Sequence, residues 1–294
     1  MIVVKLTWGL GNQMFQYAAG RALALRHQTQ LLLDTRAFAK QSLREFSLDR
    51  FSIQVSVATA KDLHQWPSWS RKPSAWLQRL GISTNRYKQP TFSFDPSWNA
   101  VSDNTMIEGY FQSEKYFSEI KSILRQEFLP KSMPTGANRD FEMLITSTES
   151  VMIHIRRGDY VSNPKALKTH GLCSISYYEN ALDQIYSKVK DPHFFIFSDD
   201  LDWVADNLHL RGDVAYVSGN ISFPEIDLYL MSRCKHFVLA NSSFSWWGAW
   251  LGGDEKSMRI APRPWFDKPS FEESDLIPDM WIKMKKYSMI VTAR

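Results

Sequence analysis

The segment from Val151 to Tyr160 reads VMIHIRRGDY and decides the fold class of this chain. Its first half is apolar with β-branched residues at alternating positions, which is typical of a buried strand. The segment then delivers four polar side chains: His154, Arg156, Arg157 and Asp159. Open α/β sheets bind ligands at the carboxyl ends of their strands. Paired arginines there suit a phosphate or diphosphate, because a guanidinium stays charged and grips anionic oxygens through two N–H groups. A structural Arg–Asp pair at the strand end is the alternative.

The length of the chain, 294 residues, predicts two domains, and its 44% hydrophobic content supplies an ordinary core. The turn-forming segment 130–138 is the predicted boundary, so we expect domains at 1–138 and 139–294. Thirty-five basic against 31 acidic residues give a net charge of +4 without a polybasic run, which does not favour a nucleic-acid partner.

The cysteines and the apolar runs indicate the compartment. Cys173 and Cys234 lie in no metal-ligand spacing, and we expect free thiols in a reducing environment rather than a disulfide. The sequence has no secretory leader pattern and no apolar run of about 18 residues. It therefore predicts a soluble cytoplasmic protein.

Both halves of the chain alternate strand and helix patterns, which predicts two Rossmann-like, doubly wound α/β domains facing each other across a cleft. The predicted strands are 2–6, 30–34, 106–111, 151–155, 194–197, 214–217, 236–240 and 259–261, and the predicted helices are 12–27, 114–128, 176–189, 203–208 and 226–234.

The N-terminal loop Gly9–Met14 follows a strand, opens a helix, and precedes Asp34 at the end of the next strand. These are most parts of a nicotinamide-dinucleotide fingerprint, so a dehydrogenase is one alternative. Met14 stands where that fingerprint has its third glycine, which counts against it. Asn12 and Gln13 instead bring side-chain amides that suit a polyhydroxyl ligand or neighbouring backbone groups.

The segment Ala240–Trp250, ANSSFSWWGAW, follows a predicted strand and opens a helix. Its hydroxyls and free backbone N–H groups would make an anion site at the helix N-terminus. The structural alternative, which can coexist with it, is an N-cap followed by a Trp-rich packed helix. Asp227 either caps the preceding helix or accepts hydrogen bonds from a purine. For Asp199 and Asp200 we favour loop and cap roles over a metal site, since no third ligand is in view.

Four motifs together resemble the bacterial α-1,2-fucosyltransferases, within a superfamily that shares an HxRR motif with α-1,6- and protein O-fucosyltransferases. They are GLGNQMFQYA (9–18), HIRRGDY (154–160), FSDD (197–200) and ANSSFSWWGAWL (240–251). The resemblance runs in order from Ile2 to about Trp265. The region from Ala37 to Asn104 matches least, and we expect it to determine the acceptor.

The resemblance implies a GT-B enzyme that transfers L-fucose from GDP-fucose to the 2-hydroxyl of a galactose, with inversion and without a metal. It implies that Arg156 and His154 hold the donor diphosphate, that Ser243 contacts phosphate and that Asp227 reads guanine. We add five further predicted donor contacts: Gly11, Asn12, Gln13, Ser242 and Phe244.

The predicted catalytic residues are Arg156, His154 and Asp159. Arg156 would stabilise the charge of departing GDP. Asp159 is the first candidate for general base, and orienting an arginine is its equal alternative. Glu108 and Asp34, at strand ends, are further candidates for the base.

Several points stay open from the sequence. The acceptor galactose could belong to an O-antigen repeat, to lactose or to an N-acetyllactosamine-like unit, and a lipid-linked acceptor would bring the enzyme to the inner face of the cytoplasmic membrane as a peripheral protein. Another fucosyl linkage, a dehydrogenase and a non-catalytic glycan-binding module are the alternatives.

Overall fold

The computed structural model describes residues 1–40, 44–64, 66 and 85–287. They form two compact units. Among the described residues, the first comprises those of Met1–Leu129 with Ser274–Leu276, and the second comprises Pro130–Glu273 and residues 277–287. The boundary at Leu129 coincides with the start of the turn-forming segment 130–138.

The first unit is built on a parallel sheet of five strands in the order β3-β2-β1-β5-β4. The strands are β1 (Ile2–Lys5), β2 (Leu31–Asp34), β3 (Ser56–Val57), β4 (Arg86–Lys88) and β5 (Thr105–Glu108). Its helices are Leu10–Arg26, Ala60–Leu63 and Lys121–Glu127, with short 3-10 turns at Phe38–Lys40, Leu48–Arg50, Pro96–Ala100, Glu114–Tyr116 and Ser118–Ile120.

The helix Leu10–Arg26 packs closely on this sheet. A side chain at Gly20 would lie 3.0 Å from Leu31 and 3.2 Å from Val4, so glycine permits the close approach. In the same helix, the Tyr17 hydroxyl donates to the buried Glu127 carboxylate at 2.6 Å, and Arg21 pairs with the same carboxylate at 2.8 Å. A buried carboxylate held in this way fixes the helix to the end of the segment 121–127.

The predicted helix over 114–128 is only partly correct. Two 3-10 turns precede a shorter α-helix, Lys121–Glu127. Tyr116 and Phe117 are consecutive and both fully buried. Phe117 lies between the two 3-10 turns with a φ of −154°, outside the helical region, and so interrupts the helix. The predicted strand over 106–111 likewise ends early, at Glu108, and Phe111, with a φ of 54°, lies outside the extended conformation.

The second unit is built on a parallel sheet of six strands in the order β11-β10-β9-β6-β7-β8. The strands are β6 (Glu149–Ile155), β7 (Pro192–Ser198), β8 (Val214–Val217), β9 (His236–Val238), β10 (Arg259–Arg263) and β11 (Ile282–Lys285). Its helices are Ala137–Ser147, Gly158–Ser162, Pro164–His170, Ile175–Lys188, Leu201–Asn207, Pro224–Arg233 and Ser243–Leu251. Every strand pairing in both sheets is parallel, which confirms the predicted α/β class.

The core of the second unit surrounds β6, whose residues from Ser150 to Ile155 are all buried. Cys173 and Cys234 are unpaired thiols, as predicted. Over the described ranges, no helix combines the length and apolar character that crossing a bilayer requires.

Candidate active site

The second sheet changes direction between β6 and β9. From β6 the chain builds outward to β7 and β8, and then returns to the other side of β6 with β9, β10 and β11. This is the common strand order of dinucleotide-binding folds, which bind their ligand at the carboxyl edge of the sheet where the order reverses. The rings of His154, on β6, and Phe244, just after β9, have centroids 6.1 Å apart. The two polar motifs predicted from the sequence therefore meet at this point.

Arg156 is held between two carboxylates. Its Nε and Nη2 donate to Asp159 Oδ1 at 3.1 and 2.6 Å, and its Nη1 lies 2.9 Å from Asp199 Oδ2. Burial alone would lower the pKa of Arg156, but Asp199 and Asp159 outweigh it and the pKa is raised. The guanidinium is therefore a fixed cation. Each terminal nitrogen carries two N–H groups, so both keep one to offer to an anion.

The position of Asp159 bears on its two predicted roles. Its Oδ1 accepts both N–H contacts from Arg156, which is the orienting arrangement. The sequence named Asp199 only as a loop or cap residue, and its pairing with Arg156 was missed because β7 and β6 are distant in the chain.

Arg157 is fixed to the loop after β7 instead. Its Nε donates to Asp200 at 3.0 Å, and its guanidinium lies 3.7 Å from the ring centroid of Trp203. Asp200 also accepts from the backbone N–H of Trp203, so its predicted helix cap is confirmed. The geometry gives Arg157 a structural role.

Two arginines face three carboxylates here: Arg156 and Arg157 against Asp159, Asp199 and Asp200. Local net charge therefore does not attract an anion. Any anion affinity must come from the direction of the remaining N–H groups of Arg156 and from the nearby helix N-terminus.

His154 is only 5% exposed, and its Nδ1 has no hydrogen-bond partner. Burial and the nearby Arg156 lower the pKa of His154 to about 3. The imidazole is therefore neutral at physiological pH and can donate or accept a hydrogen bond without adding charge.

The helix Ser243–Leu251 begins at this edge with Ser242 as its N-cap, whose Oγ accepts from the Phe244 N–H at 3.3 Å. The predicted N-cap is therefore confirmed. The predicted packed helix is confirmed too, since Trp246, Trp247 and Trp250 are buried. Ser243 is the first helical residue and is half-buried.

Asn241 holds the base of this loop. Its Nδ2 lies 2.7 Å from the His170 carbonyl, 3.3 Å from that of Gly171 and 3.1 Å from that of Trp265. The Tyr160 hydroxyl donates to its backbone carbonyl at 3.3 Å. Asn241 thus ties the start of the helix to the segment that follows Arg156.

Asp227 is not a helix cap, so that alternative is wrong. The helix Pro224–Arg233 begins three residues earlier and is flanked by Phe223. Asp227 Oδ1 accepts from Asn220 Nδ2 at 2.7 Å, and burial raises the pKa of Asp227 to about 6. Asn220 in turn exchanges hydrogen bonds with Asn138. Neither asparagine lies in a motif that the sequence analysis could recognise.

The predicted donor contacts Gly11, Asn12 and Gln13 lie in the first unit. Gln13 is buried and fully engaged: its Oε1 accepts from Ser47 N–H at 3.0 Å, and its Nε2 donates to the Trp8 and Glu45 carbonyls at 2.9 and 2.8 Å. Its side chain shapes the loop, and a donor contact would have to replace one of these bonds.

Asn12 Oδ1 accepts from Gln112 Nε2 at 2.6 Å, while Gly11 is buried in the first helical turn. The other two candidates for the base are also in ion pairs. Asp34, 2% exposed, binds Arg36 at 2.8 Å, and Glu108 lies 3.2 Å from Lys5. In the part of the chain that the structure describes, no three His, Cys, Asp or Glu side chains gather as a metal site.

The second sheet has the strand order of dinucleotide-binding α/β folds, and comparison with known proteins makes the class of protein specific. The model of glycosyl transferase family 11 matches residues 1–285. The chain belongs to this family and is a glycosyltransferase. Membership contradicts the dehydrogenase and the non-catalytic binding-module alternatives.

Named relatives cover almost the whole chain. It is 36% identical to an Escherichia coli alpha-1,2-colitosyltransferase, over 97% of this chain and 99% of that protein. It is 31% identical to the Escherichia coli O-antigen biosynthesis glycosyltransferase WbnK, over 95% of this chain and 99% of that one. It is 25% identical to the Sus scrofa galactoside alpha-(1,2)-fucosyltransferase 2, over 84% of this chain and 68% of that protein.

Among solved structures, the fucosyltransferase NodZ from Bradyrhizobium is 16% identical with a TM-score of 0.49, covering 85% of this chain and 93% of that one. A likeness of this size supports no argument about function.

Proposed function

We propose that this chain is a galactoside 2-α-L-fucosyltransferase, which transfers L-fucose from GDP-fucose to the 2-hydroxyl of a galactose residue in a glycan. Family membership supports glycosyl transfer, and the relatives named as α-1,2-transferases support the linkage. The observation that carries the proposal is Arg156, oriented by Asp159 and Asp199 at the switch point between β6 and β9. An O-antigen or other surface polysaccharide is the proposed destination, supported by the likeness to WbnK.

In the proposed reaction, the bond from the anomeric carbon of fucose to the β-phosphate oxygen breaks. The acceptor oxygen attacks that carbon from the opposite face, so the configuration inverts, and its proton passes to a base or to water. Negative charge develops on the departing diphosphate. The N–H groups that Arg156 keeps on both terminal nitrogens would stabilise it, since preorganised donors lower the barrier most where charge develops.

We place the remaining contacts to the donor GDP-fucose around the Arg156 guanidinium. The N-terminus of the helix Ser243–Leu251, with Ser242, Ser243 and Phe244, offers hydroxyls and backbone N–H groups to phosphate oxygens. The neutral His154, with its unpartnered Nδ1, would donate or accept one further hydrogen bond.

Asp227 would read guanine, because a carboxylate can accept from the ring and exocyclic N–H groups of that base together. Asn220 already orients its Oδ1 and leaves the second oxygen for such a contact.

The two halves have different proposed tasks. We assign the donor to the C-terminal domain, 139–294, and the acceptor to the N-terminal domain, 1–138, within a GT-B architecture. Gly11 and Asn12 remain proposed donor contacts, and Gln13 would act by holding the loop, given its three internal hydrogen bonds.

The general base stays a proposal with two forms. Asp159 either takes the acceptor proton or only orients Arg156, and its contacts favour the second. A pH–rate profile of Asp159→Asn separates them: loss of the acidic limb supports the base, whereas a lower rate with an unchanged limb supports orientation.

A second donor deserves a parallel test, because the relative with 36% identity is named a colitosyltransferase. Colitose is fucose without its 3-hydroxyl, so GDP-colitose presents the same diphosphate and guanine. A site that hydrogen-bonds the 3-hydroxyl would discriminate strongly against the sugar that lacks it.

The deciding experiment measures GDP release from GDP-fucose and from GDP-colitose with a panel of β-galactosides, in EDTA. Release that requires an acceptor, with a product linked at the 2-position by NMR, supports the proposal, and activity in EDTA supports metal independence. A 2-deoxygalactoside is the acceptor control and must give no product. Transfer to that compound, or no transfer to any galactoside, would contradict the proposed linkage.

Two enzyme variants complete the design. Arg156→Ala should abolish most release, while Arg211→Ala is the matched control, because Arg211 is an exposed arginine that pairs only loosely with Asp183 at 4.0 Å. A lipid-linked acceptor and peripheral membrane contact are also proposed, and co-sedimentation with anionic vesicles, with and without such an acceptor, tests them.

A further inference from the structure

The first sheet has a switch point of its own. Its order β3-β2-β1-β5-β4 reverses between β1 and β5. A cavity of about 320 Å³ opens there, at the carboxyl ends of β1, β5 and β4. This volume lies at the lower end of the range for small-ligand sites, about 300–1,000 Å³. Its lining includes Lys5, Trp8, Gln89, Phe92, Glu108 and Tyr110.

One wall of the cavity is a row of three aromatic rings. Phe92 and Tyr110 stack with centroids 4.7 Å apart and planes 22° apart. Trp8 stacks on Tyr110 at 6.3 Å and 19°, and remains 48% exposed. Broad, partly exposed aromatic faces at a cavity suit the apolar C–H face of a pyranose ring, which a polar wall would not bind.

The backbone of Trp8 is strained. Its φ is 70°, a value that bulky residues rarely adopt and that costs free energy. The Trp8 side chain at this position is only about half buried, with 48% of its surface exposed. The strain is therefore consistent with a ring presented to a ligand.

The lining of the cavity also includes an ion pair. Lys5 Nζ and Glu108 Oε1 lie 3.2 Å apart, and both side chains are partly exposed. Two neighbouring hydroxyls of a sugar can bind such a pair: one accepts a hydrogen bond from the ammonium group, and the other donates one to the carboxylate. The cavity thus combines an apolar face with a hydroxyl-binding edge.

Two glutamines hold these walls in place. Gln89 Oε1 accepts from the N–H groups of Tyr110 and Phe111 at 2.8 and 2.9 Å, and its Nε2 lies 3.3 Å from the Phe92 carbonyl. The buried Gln16 joins the loops after β1 and β5, bonding Thr7 N–H at 2.9 Å and the Gly109 carbonyl at 3.0 Å.

Gly109 is required for this arrangement. A Cβ there would come within 2.5 Å of the Gln89 Cβ. The cavity is therefore built by the fold before any ligand arrives, which reduces the ordering cost of binding.

We propose that this cavity binds the pyranose ring of the acceptor galactoside, with the ring stacked on the exposed side of Trp8 and its hydroxyls bound by Lys5 and Glu108. The proposal rests on the proposed function and gives its acceptor a site. Phe92, with Lys88 and Gln89, belongs to the segment 37–104 that we expect to determine the acceptor.

The test compares Trp8→Ala and Glu108→Gln with the wild type, and Tyr216→Ala is the control, since Tyr216 is a partly exposed tyrosine on β8 of the second unit. Removing a stacking ring should raise the acceptor KM about tenfold. The affinity for GDP, measured by calorimetry, should stay unchanged in both variants. Glu108→Gln keeps the shape of the side chain and so tests the site even where Trp8→Ala folds poorly.

Binding of methyl β-galactoside is measured separately by saturation-transfer NMR. Transfer to the sugar that is lost in Trp8→Ala and kept in Tyr216→Ala supports the proposal, even if no fucosylated product forms and the proposed function fails. If Trp8→Ala and Glu108→Gln fold and keep the wild-type acceptor KM and sugar NMR signal, the proposed acceptor site is overturned, while fucosyl transfer itself still stands. A loss of GDP affinity equal to the loss of acceptor affinity would also overturn it, because the cavity would then serve the nucleotide.

Discussion

Replacing Arg156 is the most informative perturbation of the proposed donor site. Arg156 contacts Asp159 through two nitrogens and Asp199 through the third, which leaves one N–H on each terminal nitrogen for the diphosphate. Losing one preorganised donor to a developing charge costs about 2.7–4 kcal/mol, or about a hundred- to a thousandfold in kcat. We therefore expect Arg156→Ala to lose about a thousandfold.

The Arg156→Lys variant separates charge from geometry. A lysine keeps the positive charge, but its single nitrogen cannot hold both carboxylates and a phosphate in fixed directions. We expect a loss of about a hundredfold in kcat, toward the lower end of the range for one donor. A lysine variant with near wild-type rate would mean that charge alone suffices.

The stability of these variants should change little. The side chain of Arg156 is 29% exposed, and those of Asp159 and Asp199 are 37% and 24% exposed, so solvent screens the pairs. Partly exposed ion pairs contribute about 1 kcal/mol or less, and the proteins should stay folded. Urea unfolding checks this, so that a kinetic loss is not mistaken for unfolding.

His154 provides an independent readout of the same change. Burial is the larger cause of its lowered pKa and Arg156 is the second. Removing the guanidinium should therefore raise the pKa of His154 without restoring its ordinary value, which NMR titration measures. If Arg156→Ala keeps the wild-type kcat/KM for GDP-fucose and also the wild-type pKa of His154, the reasoning is refuted. The control Arg211→Ala should leave both quantities unchanged.

Three further predictions follow from particular contacts. Burial raises the pKa of Asp227 from 3.8 to about 6, so the contribution of Asp227 to folding stability is full at low pH and is lost as the pH rises through that window. Guanine binding, in contrast, needs the ionised carboxylate, so GDP affinity measured by calorimetry should increase up to about pH 6 and then level off. Asp227→Asn should bind GDP weakly, with no such pH dependence. Gly158→Ala places a methyl group within 2.6 Å of Asp199 and should displace that carboxylate from Arg156. We expect kcat to fall about ten- to a hundredfold with little change in Tm. An unchanged kcat would show that Asp199 does not position the guanidinium. Tyr17→Phe removes the hydroxyl that donates to the buried Glu127 and should lower the free energy of unfolding in urea by about 1–3 kcal/mol without changing acceptor KM.

The order of strands and helices was predictable because it depends on local patterns. β8 was predicted with its observed bounds. The ends of β1, β2, β6, β7, β9 and β10 differ from the prediction by one or two residues, whereas β5 ends three residues before its predicted end. The predictions were wrong where distant packing overrides local preference. The turns before Lys121 bury two consecutive aromatic rings, and no periodicity within that segment announces this.

Proximity within the proposed donor site was partly predictable for the same physical reason. The carboxyl ends of parallel strands share one edge of a sheet, so motifs that follow β6 and β9 must meet once those strands are neighbours. This brings Arg156 and Ser242 to the same edge from sequence alone, together with the N-cap role of Ser242.

Which side chains then contact each other was decided only by the tertiary structure. The pairing of Asp199 with Arg156, of Asn220 with Asp227, and of Gln89 with the loop after β5 joins segments that no sequence spacing relates. Such contacts depend on strand register and on loop conformation, both of which are fixed by packing across the whole unit. The sequence by itself determined the α/β class and the chemistry available at the strand ends. The folded chain decided which carboxylates orient Arg156 and where a cavity of sugar size opens.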